Sequence, residues 1–148
     1  MPDAAILSIR PMRSEDAAAV ATLTTELGYP AAEDAIRHRI DLIKDRPDAR
    51  LFVAAQGDSV VGWLHVQSIC SLENDPRAEI WGLVVGEGAR GAGVGRRLIE
   101  TAEEWAVRRG LRVMSLRSNQ LRTGAHGFYE HLGYRVTKTQ SAFRKILT

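Results

Sequence analysis

A single cysteine, Cys70, has no partner for an internal disulfide, so a chain of 148 residues must be held together by its core. At that length one compact domain, residues 1–148, is expected to bury enough apolar surface without metal or cross-links. Long apolar runs are missing too. None approaches the roughly 18 residues that cross a bilayer, so no membrane partner is expected. The first ten residues lack a basic stretch, an apolar stretch and a small-residue cleavage site, which with the lone cysteine points to a cytoplasmic protein. Charge of one sign is also lacking: 20 Lys and Arg against 18 Asp and Glu leave a formal net charge of +2. The signs are interspersed, so no basic face calls for nucleic acid. His38, His65, His126 and His131 show no metal-ligand spacing, and no metal is expected. His126 and Glu130 read as an i, i+4 surface pair, and Cys70 as a small apolar residue at a strand end.

What is present alternates between two periods. Residues 6–10 read as a strand, and Ser14 with Glu15 and Asp16 marks a helix start ahead of Val20, Leu23 and Leu27. Gly28-Tyr29-Pro30 ends that helix. Ile36, Ile40 and Ile43 line a second one, which Arg46-Pro47 stops. Residues 51–55 and 60–66 are strand formers on either side of Gln56-Gly57-Asp58-Ser59, the pattern of an antiparallel hairpin. A polar loop over residues 71–77 leads to a strand over residues 79–85. Val94, Leu98, Ile99, Ala102, Trp105 and Ala106 then recur at helical spacing, with Gly110 placed as the stop. A strand over residues 113–116, a helix over residues 123–132 and a closing pair of strands within residues 134–147 complete the order.

The most informative segment is Gly86-Glu87-Gly88-Ala89-Arg90-Gly91-Ala92-Gly93-Val94-Gly95, between a strand and a helix. Glycine lets an anion approach the main chain, and the first turn of a helix offers unpaired N–H groups with about half a positive charge. Three phosphate loops compete for it. The P-loop fails, because Gly-x-x-x-x-Gly-Lys-Ser/Thr is absent. Gly86-x-Gly88-x-x-Gly91 matches the dinucleotide fingerprint literally. That reading wants an acid after the next strand, where Leu116-Arg117-Ser118-Asn119 has none, and too little chain follows for a second nucleotide-binding half. The third is Arg/Gln-x-x-Gly-x-Gly/Ala, present as Arg90-Gly91-Ala92-Gly93-Val94-Gly95.

With that motif, the strand ahead of it, Ile9-Arg10-Pro11 and Glu15-Asp16 near the start, and Asn119, Ala125, Phe128-Tyr129 and Leu132-Gly133-Tyr134 near the end, the chain resembles the GNAT superfamily of N-acetyltransferases. One departure is Glu87, where the family often has proline. The resemblance implies an α/β (α+β) fold: a mixed, mostly antiparallel central sheet of six or seven strands, about four helices, and a parallel strand pair splayed at the cofactor site. It implies acetyl-CoA as co-substrate, its pantetheine arm on the main chain of Leu83, Val84 and Val85. The pyrophosphate falls to Arg90, Gly91, Ala92, Gly93, Val94, Gly95 and Arg96. Arg96 and Arg97 fit equally well as a solvated helix face. Asn119 stands where relatives hold the cofactor or orient substrate, and a turn or capping role fits it as well.

Amide formation from a thioester needs a neutral amine, a polarised carbonyl and a proton for the thiolate. The resemblance puts Glu79 at the general-base position, acting through one water, against the plainer reading of a salt-bridged glutamate at a sheet edge. Strand alternation would set Glu79 on one face with Trp81, Leu83 and Val85. The resemblance makes Tyr129 the acid, a phenol that is protonated at neutral pH. The oxyanion would meet the N–H of Val85. Acids beside aromatics, namely Glu26, Tyr29, Glu33, Asp34, Trp63, Glu73, Asp75 and Trp81, suit a small cationic amine acceptor, either a small molecule or a peptide. The family also implies a possible homodimer. The alternatives are a non-catalytic acyl-CoA sensor and an NAD(P)-binding oxidoreductase.

Overall fold

The computed structural model describes residues 6–117 and 123–148, which fall into two compact units, Met1–Arg117 and Ser118–Thr148. The first unit is built on strands β1 (Leu7–Pro11), β2 (Ala49–Gln56), β3 (Ser59–Ile69), β4 (Arg77–Val85) and β5 (Met114–Leu116). They lie in the order β1-β2-β3-β4-β5, with three antiparallel pairings followed by a parallel one between β4 and β5. Helices α1 (Ala17–Glu26) and α2 (Glu33–Ile43) separate β1 from β2, and α3 (Val94–Arg108) separates β4 from β5. The second unit contains α4 (Thr123–His131). Among the described residues no helix is long and apolar enough to cross a membrane.

The expected hairpin forms where the turn chemistry placed it. Gln56 pairs with Ser59 across a two-residue turn, in which Gly57 supplies a φ of 59°. The sheet packs helices on both faces. Leu51, Val53 and Trp63 meet Val20 and Ala21 of α1 and Ile36 and Ile40 of α2. On the opposite face a Cβ at Gly62 would sit 3.2 Å from Val94 and 3.3 Å from Leu98 of α3, so β3 and α3 approach closely only because residue 62 has no side chain. Leu64, Val66, Leu98 and Ile99 are among the fully buried side chains that fill that contact.

Two expectations change here. The sheet has five strands among the described residues, not six or seven, because residues 134–148 form no ladder. Val136, Phe143, Ile146 and Leu147 stand exposed. That segment contains no glycine, asparagine, aspartate or proline to set a tight turn, and a two-stranded hairpin alone is marginal in water. The second change lies in β4. Its pairing with β3 shifts between His65 and Val66, leaving Trp81 as an extra residue between Ile80 and Gly82. The bulge reverses the phase. Glu79, opposite Gln67, shares its face with Gly82 and Val84, opposite His65 and Trp63, while Leu83 goes to the α3 face with Leu64.

The entry into α1 is fixed by one buried carboxylate. Asp16 accepts two bonds from Arg10, each 2.8 Å, and one from the Arg13 N–H, also 2.8 Å. Burial alone would raise its pKa, but the Arg10 and Arg13 hydrogen bonds and charges outweigh it and hold the carboxyl below its ordinary 3.8. A depressed folded pKa means this stabilisation is complete above pH 4 and is lost as pH falls through the lower folded value. Acid unfolding followed by circular dichroism should therefore lose steepness below pH 4 in Asp16→Asn. An unchanged acid limb in that variant would contradict this account.

Candidate functional site

The glycine loop follows β4 as a short 3-10 turn, Glu87–Ala89, and enters α3 at Val94. Gly91 and Gly93 adopt φ values of 81° and 79°, the left-handed region where a Cβ costs about 1–2 kcal/mol. Nothing lies within 4 Å of where a Cβ would stand at Gly88, Gly91 or Gly93, so the space in front of this main chain is open. The Ala92 amide bonds back to Ala89, and the Arg97 amide to Gly93. The amides of Gly91, Gly93, Val94, Gly95 and Arg96 have no acceptor among the described residues. Five donors at the positive end of a 15-residue helix form a concavity for a multiply charged anion.

The arginines divide by role. Arg97 is committed to the Leu7 carbonyl at 2.8 Å, tying α3 to β1, and Arg96 leans toward Glu100 on the helix surface at 3.7 Å. Arg90 reaches back from the loop, its Nε 3.4 Å from the Val85 carbonyl.

Ahead of the loop, part of one edge of β4 has no partner strand among the described residues. Its ladder to β5 covers Ala78, Glu79 and Ile80 only, and β5 ends at Leu116 while β4 continues to Val85. The Gly86 N–H donates to the Val61 carbonyl on β3 at 2.9 Å. By alternation Val84 also turns its main-chain groups to β3, and Leu83 and Val85 turn theirs to the open edge. Of the three residues expected to meet an extended ligand arm, Leu83 turns both main-chain groups to the open edge and Val85 its N–H, while the Val85 carbonyl is met by Arg90. Val84 is spent on the sheet.

Glu79 is 5% exposed and well supplied with partners. Ser115 Oγ donates to its Oε2 at 3.1 Å, Arg77 Nη2 lies 3.4 Å from Oε2, and Arg117 Nε lies 3.6 Å from Oε1. Arg77 also reaches Ser115 Oγ at 3.3 Å, so the cluster fastens β4 to β5 below the point where the ladder ends. Trp81, at the bulge, is 56% exposed, with its ring edge-on to His65 at 5.4 Å between centroids. The Trp63 ring lies over Gly82, where a Cβ would come within 2.6 Å of it, and its Nε1 donates to Thr24 Oγ1 of α1 at 3.1 Å. Glu79, Trp81, His65 and Trp63 thus form one polar and aromatic face on the α1 and α2 side of the sheet.

In the second unit, Tyr129 of α4 is half-buried, its ring edge-on to Phe128 at 5.2 Å and to Tyr134 at 6.2 Å. Its carbonyl accepts the Tyr134 N–H at 3.0 Å, closing the helix. Asn119 lies outside the described residues. His65 was not singled out in the sequence. The available signal was parity: Trp63, His65 and Gln67 alternate with Gly62, Leu64 and Val66 along β3.

A sequence model of the acetyltransferase (GNAT) family matches residues 17–134. No curated protein matches the chain in sequence. Among solved structures, an aminoglycoside N-acetyltransferase, AAC(6')-Iy in complex with CoA, aligns with a TM-score of 0.85 at 21% identity, covering 98% of each chain. A transcriptional regulator from Bacillus halodurans aligns at 0.84 and 24% identity, over 95% of this chain and 100% of that one. A GNAT family acetyltransferase from Staphylococcus aureus aligns at 0.75 and 22%, over 95% and 98%. At these identities the alignments speak to the fold. Glycine loop, forked β4 and family match agree, and the chain belongs to the GNAT family of acetyltransferases.

Proposed function

We propose that this protein transfers an acetyl group from acetyl-CoA to a primary amine of a small cationic molecule. The observation that carries the proposal is the row of five amides at Gly91, Gly93, Val94, Gly95 and Arg96 that have no acceptor among the described residues, at the head of α3 beside the open space at Gly91 and Gly93. These suit the pyrophosphate of CoA, with the open edge at Leu83 and Val85 taking the amide groups of its pantetheine arm. Bound acetyl-CoA supplies the activated thioester. The Val85 N–H is the donor for the oxyanion, and a base on the sheet face that Glu79 shares takes the amine proton, directly or through one water; the family resemblance assigns protonation of the departing thiolate to Tyr129. Glu79 is the residue that family resemblance assigns to that position. Exposed Trp81, beside Glu79 and His65, gives the acceptor an aromatic wall suited to a cation. A small amine also fits neighbours named as aminoglycoside acetyltransferases.

Thermal unfolding with CoA, acetyl-CoA, NAD and NADP tests the cofactor. CoA at a hundred times its dissociation constant should add about 2.7 kcal/mol. Gly93→Val should remove most of that gain, since a β-branched residue at a φ of 79° carries about 1–3 kcal/mol of strain and its side chain enters the anion's approach. Stabilisation by NADP and not by CoA would overturn the proposal.

A further inference from the structure

Two groups on the α1 and α2 face of the sheet can take a proton, and they stand in opposite circumstances. Glu79 has both oxygens engaged by Ser115, Arg77 and Arg117. His65 is half-buried on β3, opposite Gly82, where β4 presents no side chain, and beside exposed Trp81.

The orientation of His65 follows from its one partner. Gln67, buried beside it, donates from Nε2 to the Asp48 carbonyl at 3.2 Å. A carbonyl only accepts, so that bond fixes which end of the amide is which and turns Oε1 toward His65 Nε2, 3.4 Å away. Oε1 also only accepts. Nε2 must therefore carry the hydrogen, and Nδ1 carries the lone pair. Nδ1 has no partner among the described residues and is not closed off from solvent.

The charged group that acts on this imidazole is Arg46, which is paired with Asp48 in the turn ahead of β2; Glu79 and Arg77 lie one pair along, where Glu79 is opposite Gln67. Burial first, and then the charge of Arg46, lower the His65 pKa from 6.5, against an upward pull from Gln67. The ring is consequently a neutral acceptor at pH 7.

We propose that His65 Nδ1 receives the proton shed by the attacking amine, and that Glu79 fastens β4 to β5 instead of acting as the base. This rests on the acyl-transfer reading above. The amine lone pair attacks the thioester carbonyl carbon and a C–N bond forms. The ammonium proton of the adduct passes to Nδ1, leaving an imidazolium whose Nε2–H is held by Gln67 Oε1. Collapse breaks the C–S bond. CoA leaves with the bonding pair and takes a proton from the acid that the resemblance assigns, Tyr129; the phenolate then takes a proton from solvent, and the imidazolium gives one up to solvent. Amine and acetyl-CoA become amide and CoA thiol.

Nitrogen-15 NMR of histidine-labelled protein at pH 7.5 reads the tautomer without any substrate. His65 should be the Nε2–H form, and the Nδ1–H form would overturn the proposal. Kinetics use neamine, spermidine or lysine methyl ester, whichever turns over fastest. His65→Asn should lower kcat/KM by about 100-fold or more, with CoA affinity unchanged. It should also abolish the acidic limb of the pH profile, which Glu79→Gln should retain. An acidic limb that survives in His65→Asn, or that disappears only in Glu79→Gln, returns the base to Glu79. Failure of the wild-type protein to bind CoA would instead sink the acyl-transfer reading itself.

Discussion

Tyr129→Phe is expected to lower turnover by about 10²- to 10⁴-fold while leaving CoA affinity within about twofold. The substitution removes a single oxygen. Packing against Phe128 and Tyr134, at 5.2 and 6.2 Å between centroids, involves the ring, which phenylalanine keeps. The hydroxyl bears on turnover if the thiolate leaves as an anion that needs a proton or a donor. Two comparisons separate a catalytic phenol from a packed one: a thiol leaving group of lower pKa should rescue the variant in part, and CoA titration by calorimetry should show wild-type affinity. Equal turnover in both proteins would remove Tyr129 from the mechanism. Absence of turnover in the wild-type protein despite CoA binding would favour an acyl-CoA sensor.

The second large effect is on stability. Glu79→Gln is expected to cost about 3–5 kcal/mol, because it leaves the Arg77 guanidinium without a counter-charge. Arg117 is 79% exposed on its side chain and returns to water at little cost, whereas Arg77 is 23% exposed and already has one buried nitrogen, Nη1, without a partner. The burden therefore falls on one residue. Replacing both members with apolar side chains, Arg77→Met with Glu79→Leu, should recover most of the loss, since a buried pair exchanged for well-packed carbon is often neutral. Urea unfolding of the wild-type protein and the two variants gives the comparison. A double variant as unstable as Glu79→Gln would show that the cluster does more than neutralise itself.

Features governed by neighbours in sequence were legible there. The hairpin turn at Gly57-Asp58, the apolar stripe from Val94 to Ala106 and the glycine loop each follow from local backbone chemistry, and each appears where spacing put it. What escaped depends on residues far apart in the chain. The bulge at Trp81 exists only in the pairing of β4 with β3, so alternation counted along β4 alone put Leu83 and Val85 on the wrong face. Arg117 meets Glu79 only because a crossover through α3 returns β5 to the side of β4. The contact between His65 and Gln67 is oriented by the Asp48 carbonyl, which accepts from the same Gln67 amide. Residues 134–148 carry strand-forming side chains without a turn or a ladder, and side-chain preference alone does not make a sheet.

The short β4–β5 ladder also bears on how the cofactor and the fold depend on each other. An arm carrying two amides, laid along Leu83 and Val85, would extend the sheet as a sixth, non-peptide strand, anchored at one end by the helix amides. Such a ligand is part of the tertiary structure while it stays. Its departure would reopen a sheet edge, so release of such a ligand would also be a small act of local unfolding.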